Sequence, residues 1–248
     1  MNSTHLSICY LRGNLIWKRV GPLARVLSAI CAAGFFAVAT ASATSVIVVN
    51  PSFETPNVFA DPFHFQYFDA LTGTGWQTSA GETTTIFQPV LAGSYNPGAI
   101  PDGIQVATVG RVISGVALPG TLWQDVGAVV GGATYDLDVW VGNRLEPSIL
   151  DSTQYTISLL AGTTVMGSLQ GIIGDVPNGG FAQRQLTVAA APQYDGQTLR
   201  IQLYASGFQA SFDNVQLSEH TPEPATLALF ALGGGLLLLR ARRKRVVR

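Results

Sequence analysis

The sequence has 248 residues and a formal net charge of −1, but its basic side chains are concentrated at the two ends. Between Thr44 and Thr221 four basic residues (Arg111, Arg144, Arg184 and Arg200) face fourteen acidic ones, a net charge of −10 that repels polyphosphate and excludes nucleic acid as a partner. Both cysteines, Cys9 and Cys31, precede that stretch, which excludes a disulfide framework, a cysteine nucleophile or Cys-ligated zinc within it.

The front of the chain reads as a secretory signal. Arg12, Lys18, Arg19 and Arg25 precede the apolar run Val26–Ala39, and small residues follow it. Ala39-Thr40-Ala41 and Ala41-Ser42-Ala43 both fit the A-x-A cleavage pattern. Cleavage by signal peptidase is expected after Ala43, with Ala41 as the alternative, which makes residues 1–43 a signal peptide. The competing reading is an uncleaved N-terminal anchor.

From Thr44 to Glu219 no long amphipathic helix is visible. Short runs rich in β-branched and aromatic residues alternate with turn residues such as Gly131-Gly132, Asn178-Gly179-Gly180 and Asp195-Gly196. Strands are expected at Ser45–Val49, Ile104–Val109, Leu122–Val126, Tyr135–Val141, Tyr155–Leu160, Arg184–Ala190, Leu199–Ala205 and Ser211–Leu217. Many short strands without intervening helices imply an all-β fold, an antiparallel sandwich or barrel, in one domain over residues 44–219. Alternation assigns faces. Tyr135, Leu137, Val139 and Val141 are expected in the core, with Asp136, Asp138 and Trp140 outward. Leu199, Ile201 and Leu203 likewise oppose Arg200, Gln202 and Tyr204.

The tail, residues 220–248, has three parts. Pro222-Glu223-Pro224 is followed by the fifteen apolar residues Ala225–Leu239 and by the basic cluster Arg240, Arg242, Arg243, Lys244 and Arg245. As a helix the apolar run spans roughly 22 Å against a hydrocarbon core of about 30 Å. That suits transient insertion better than permanent anchoring. The basic cluster would stay cytoplasmic and leave the rest outside.

This tail resembles the PEP-CTERM sorting signal. The resemblance implies handling by an exosortase at Pro222, Glu223 and Pro224, with loss of the helix, in a Gram-negative producer of extracellular polysaccharide. Thr221 stands where valine is common. The alternative is an uncleaved, tail-anchored membrane protein. The middle region resembles the galactose-binding-like jelly rolls of many carbohydrate-binding modules. Asn50-Pro51-Ser52-Phe53-Glu54 looks like their opening, Trp76 like their early tryptophan, Leu122–Val126 with Tyr135-Asp136-Leu137 like their central hairpin, and Phe212–Leu217 like their closing strand. A jelly-roll sandwich between a signal helix and a short hydrophobic C-terminal helix is the implied architecture.

The jelly-roll resemblance implies a structural Ca2+ held by Glu54 and Asp213, with backbone carbonyls completing an oxygen shell. The plainer reading has Glu54 capping a turn and Asp213 bonding local backbone. Trp140 with Asp136 and Asp138 forms a candidate sugar-binding face, because aromatic planes stack on sugar rings while polar neighbours fix hydroxyls. Trp123, Tyr204 or Trp76 could add to it, although tryptophan is mostly buried. Asp136 and Asp138, about 7 Å apart along a strand, have a spacing that glycosidase carboxylates can share, but exposed acidic pairs are usually just solvated. His64 reads as a packed residue of an aromatic loop, and His220 as part of the linker to the sorting motif. With no Gly-x-Ser-x-Gly elbow, His-Glu-x-x-His or phosphate loop, no catalytic residue is assigned and a non-enzymatic protein is expected. The expected role is an exported protein at the cell surface or in the matrix, passing through the inner membrane and associated with exopolysaccharide. The alternative is a carbohydrate-binding module with a specific glycan ligand.

Overall fold

The computed structural model describes residues 42–59, 65–68, 73–78, 83–89, 94–145 and 152–221, all within one compact unit, Thr40–Glu223. Pro222, Glu223, Pro224, the apolar tail, the basic cluster, Ala41, His64 and both expected flanking helices lie outside the described residues. Among the described residues no helix is long and apolar enough to cross a membrane.

Among the described residues there are fourteen strands: β1 (Ser42–Val46), β2 (Phe65–Tyr67), β3 (Gln77–Thr78), β4 (Thr84–Phe87), β5 (Val106–Val109), β6 (Arg111–Ile113), β7 (Val116–Leu118), β8 (Gly120–Ala128), β9 (Thr134–Asn143), β10 (Gln154–Ala161), β11 (Thr164–Ile172), β12 (Gly180–Ala189), β13 (Thr198–Ala205) and β14 (Ala210–Thr221). One sheet runs β12-β9-β14-β5-β4-β2, with β1 also on β14; the second runs β11-β10-β13-β8-β3. β6 and β7 form a separate hairpin. The ladders between these strands are antiparallel, giving the expected sandwich.

The core lies between the two sheets and follows the period-2 pattern. Tyr135, Leu137, Val139 and Val141 of β9 are fully buried, as are Ile201 and Leu203 of β13. Asp136, Asp138 and Trp140 are half-buried on the other face. Trp76 is core: its ring packs 5.2 Å from that of Phe53, and its Nε1 donates to the Asn50 carbonyl at 3.1 Å. Trp123 instead faces outward, with the Arg200 guanidinium 5.6 Å above its ring.

Two expectations about elements need correction. The first strand lies at Ser42–Val46, not Ser45–Val49, because β14 runs on to Thr221 and supplies an edge there. The segment containing Phe65 and Tyr67 is a short edge strand paired to β4, not a packed loop.

β14 organises the site. β9 runs along one of its edges. Its other edge changes partner, from β5 at Ala210–Phe212 to β1 at Leu217–Thr221. A bulge falls between Asp213 and Gln216, and Asn214 has φ 45°. The gap between the two partners is filled by two loops, one of which bonds β14 directly: Val215 N–H donates to the Pro51 carbonyl at 3.0 Å.

Candidate functional site

The cross-strand registers place residues from six strands in rows on the outer face of the first sheet. One row reads Tyr67, Thr85, Thr108, Ser211, Gly142, Phe181. Directly opposed residues of antiparallel strands share a face, so this row forms a floor of hydroxyls between aromatic ends. The Thr85 and Thr108 hydroxyls are hydrogen-bonded to each other, and Tyr95 O–H donates to Ser211 Oγ. Gly142 is required where it stands, because a Cβ there would lie 2.5 Å from the Phe181 ring. That ring covers the strand and packs 4.9 Å from Tyr95, closing one end of the face.

At the other end a cleft of about 290 Å3 opens. It is lined by Phe65 and Tyr67, by Thr83, Thr85 and Phe87, by Thr108 and Gly110, and by Arg111, Arg144 and Gln209. Phe65 and Tyr67 stand edge to face at 5.6 Å. The Arg111 guanidinium lies 4.9 Å over the Tyr67 ring, and that of Arg144 lies 4.9 Å over Phe87. Arg144 also donates to Gln209 Oε1 and, at 3.2 Å, to Ser94 Oγ, tying three loops to the mouth.

The expected sugar-binding trio lies further along the same face. Trp140 pairs with Asp213 on one side and Gln183 on the other. Its acidic neighbours are engaged locally. Asp136 accepts from the Thr187 hydroxyl and pairs with His220 Nε2 at 2.9 Å, and Asp138 accepts from Gln183 Nε2 at 3.1 Å. His220 is therefore a strand residue bonded to Asp136, not linker. None of the trio lines the cleft.

Glu54 and Asp213 meet at the gap in β14, joined by Asp102. Asp213 is fully buried, its carboxylate accepting from Asp102 N–H at 3.0 Å and Asn214 N–H at 2.7 Å. Glu54 Oε1 accepts from Ile104 N–H at 2.8 Å and Gln105 N–H at 2.7 Å, and Ser52 Oγ donates to Asp102 at 2.6 Å. Burial pushes the Asp213 carboxyl up to about 8; the two N–H donors oppose this, while the charges of Asp102 and Glu54 add to it. The donors are hard oxygens, as Ca2+ requires. Among the described residues, however, no three His, Cys, Asp or Glu side chains are drawn together at metal-holding spacing. The carboxylates point to backbone N–H groups instead.

Comparison with known proteins decides the family. The family described as HpiC1 cyclase matches residues 44–218, more than half of the chain. The chain belongs to the HpiC1-like cyclase family. A Stig cyclase from Fischerella sp. TAU, solved in complex with (3Z)-3-(1-methyl-2-pyrrolidinylidene)-3H-indole, is 25% identical, with 73% of this chain covering 100% of that one at a TM-score of 0.58. A cyclase from the same organism in complex with 4-(1H-indol-3-yl)butan-2-one is also 25% identical, with the same coverage and a TM-score of 0.56. TmCBM61, solved with β-1,4-galactotriose, is 14% identical over 70% of this chain and 97% of that one, with a TM-score of 0.42. No curated protein sequence matches the chain. The PEP-CTERM protein-sorting motif matches residues 220–245, which marks an exported protein sorted to the cell envelope.

The expectation of a non-enzymatic protein is thereby overturned, since this HpiC1-like family and its solved Fischerella relatives are cyclases. The expectation rested on the absence of hydrolase and phosphate motifs. Such motifs mark nucleophiles and phosphate cradles, whereas a cleft that folds a substrate for ring closure needs only shape and scattered polar groups.

Proposed function

We propose that this protein is an exported, exosortase-sorted cyclase that holds a small unsaturated organic molecule in the cleft between β2, β4, β5 and the Arg144 loop. The observation that carries this reading is the cleft itself, with Phe65, Tyr67 and Phe87 as walls and Thr83, Thr85 and Thr108 as hydroxyl-bearing lining, in a domain of the HpiC1-like cyclase family. Ring closure requires a flexible chain to be held folded with its reacting atoms in contact. Aromatic walls supply that constraint, and fixing the geometry lowers the entropic part of the barrier. Hydroxyls and guanidinium groups at the floor and mouth orient polar substituents. The indole ligands of the Fischerella cyclases support a planar aromatic occupant of similar size.

Calcium is part of the same proposal. Glu54 and Asp213 would hold it after turning from their N–H donors, and Asp102 after turning from the Ser52 hydroxyl, supplying charge neutralisation that would pin the two loops against β14. The working place is the surface or extracellular matrix of a Gram-negative cell, reached through the inner membrane after signal peptidase and exosortase processing. An envelope polysaccharide is a second ligand class, favoured by half-buried Trp140 on the open part of the sheet face.

The test uses the full chain in detergent micelles, incubated with a small-molecule extract of its host. A ring closure by isomerisation appears as a new chromatographic species at unchanged mass. Thr108→Trp fills the cleft and should abolish it while leaving the melting temperature within a few degrees. Failure to form any new species, or its formation by the filled variant at the same rate, would overturn the reading. Loss of retardation in polysaccharide gels on Trp140→Ala would support the second ligand class, and unaltered retardation would remove Trp140 from it.

A further inference from the structure

We propose that Thr83 sets the specificity of the cleft: its hydroxyl selects a ligand with a neutral hydrogen-bond acceptor, a carbonyl oxygen or imine nitrogen, on an otherwise apolar planar body. This step rests on the cleft being the working site. Strand register isolates that hydroxyl. Thr83 and Thr85 are two residues apart at the start of β4, so their side chains share the outer face, and both line the cleft. Thr85 stands opposite Thr108, and the two hydroxyls bond each other. One step along, Gly110 N–H donates to the Thr83 carbonyl at 2.8 Å, which sets a glycine opposite Thr83. Glycine has no side chain to offer. A larger residue is shut out there, because a Cβ at Gly110 would lie 2.2 Å from the Gly207 carbonyl oxygen.

Thr83 is only 8% exposed, yet among the described residues its Oγ1 has no hydrogen-bond partner. Buried hydroxyls are nearly always bonded, and an unmade donor is a rarer omission than an under-used acceptor. The backbone bond to Gly110 keeps the residue from swinging out to water. A staggered rotation about χ1 exchanges hydroxyl and methyl without moving the backbone, so Oγ1 can turn to a group held in the cleft. The unmet requirement is therefore an acceptor. Phe65, Tyr67 and Phe87 give the rest of the ligand flat apolar walls. A purely apolar ligand leaves the Thr83 O–H unbonded, whereas one with an acceptor at the start of β4 completes it.

The experiment is calorimetric titration of the full chain in detergent micelles with 4-(1H-indol-3-yl)butan-2-one and with 3-butylindole, the same skeleton with methylene in place of the carbonyl. Thr83→Val keeps the shape and removes the hydroxyl. It should weaken the ketone about tenfold and leave 3-butylindole within about twofold. Thr83→Ser should keep the wild-type ratio of the two affinities. Thr83→Val should also melt no lower than wild type, since it deletes an unbonded polar atom from buried surroundings. Melting several degrees lower, or failure to fold, would mean that the hydroxyl serves the fold, and would overturn the proposal. Equal losses for both ligands, or no loss for either, would overturn it too while leaving the cleft reading in place. If neither indole binds the wild-type chain, the cleft reading and this proposal fall together.

Discussion

Ala43 and His220 are Cα partners across the ladder of β1 and β14. The residue at the expected signal-peptide cleavage site thus sits beside the strand residue that nearly abuts the sorting motif. The expected cleavage site after Ala43 and the last described strand residue before the sorting motif thus share one end of the first sheet, where Ser42 lies opposite Thr221. Cleavage after Ala41 keeps all five β1 pairs. Cleavage after Ala43 leaves only Thr44↔Glu219, Ser45↔Ser218 and Val46↔Leu217.

The choice of cleavage site should therefore be measurable as stability. Each lost backbone hydrogen bond is worth about 0.5–1.5 kcal/mol net, and about 1 kcal/mol shifts the melting of a domain this size by roughly 2–4 °C. A processed chain starting at Ser42 is expected to melt a few degrees above one starting at Thr44, by scanning calorimetry. Identical melting would mean that the first two pairs fray in solution. The half-buried Asp136–His220 pair, still in contact with solvent, contributes little to this difference.

Calcium gives a second expectation, with a sign. In chelated protein, Asp213 titrates near 8 when folded and near the ordinary 3.8 when unfolded. Between those values the folded chain keeps a proton that the unfolded chain has released. Stability is thus fully present below the unfolded value, falls as pH rises through the window, and levels off above the folded value. Calcium replaces that proton, so added Ca2+ should raise the melting temperature most at pH 8 and least at pH 5. Asp213→Asn should flatten the pH dependence and remove the calcium response. A melting temperature indifferent to Ca2+ at pH 8 would rule out the metal.

The parts of the fold that a single segment encodes were legible in sequence. Alternation in Tyr135–Val141 assigned both faces of β9, and Phe212–Leu217 located the closing strand. β11 was missed because its pattern is set by neighbours. A Cβ at Gly167 would lie 2.5 Å from Val188, and one at Gly171 would lie 2.3 Å from Tyr155 Oη, so glycine stands in strand positions where it reads as turn. The cleft was missed for a related reason. Its lining is assembled by register among Tyr67, Thr85 and Thr108, and no local pattern carries that register. Glu54 and Asp213 were legible as a pair, whereas Asp102 joins them only through a loop nearly fifty residues from Glu54.

Burial along β9 provides a third expectation. Leu137→Ala removes a fully buried side chain from between the sheets and should cost about 2–5 kcal/mol in denaturant unfolding. Asp138→Ala, one residue on, removes a half-exposed carboxylate bonded to Gln183 and should cost under about 1 kcal/mol. Similar costs at the two positions would contradict the inward and outward faces of this strand.

Two glycines with nearly the same backbone angle separate crowding from conformational strain at the cleft. Gly110 lines the cleft with φ 84°, and Gly115 lies in the β6–β7 turn with φ 83°. A Cβ at Gly115 meets nothing within 4 Å, so Gly115→Ala should carry only the left-handed backbone penalty, about 1 kcal/mol. At Gly110 a Cβ would stand 2.2 Å from the Gly207 carbonyl oxygen and 2.7 Å from that of Phe208. Backbone cannot swing aside as a flexible side chain can, so Gly110→Ala should cost a further 1–3 kcal/mol or so and displace the β13–β14 turn that carries Gln209. Since Gln209 accepts from Arg144 at the cleft, the same substitution should slow formation of the ring-closed product, whereas Gly115→Ala should leave it unchanged. Equal unfolding free energies for the two variants would mean that the Gly207 turn yields freely and that the close approach at Gly110 does not shape the cleft.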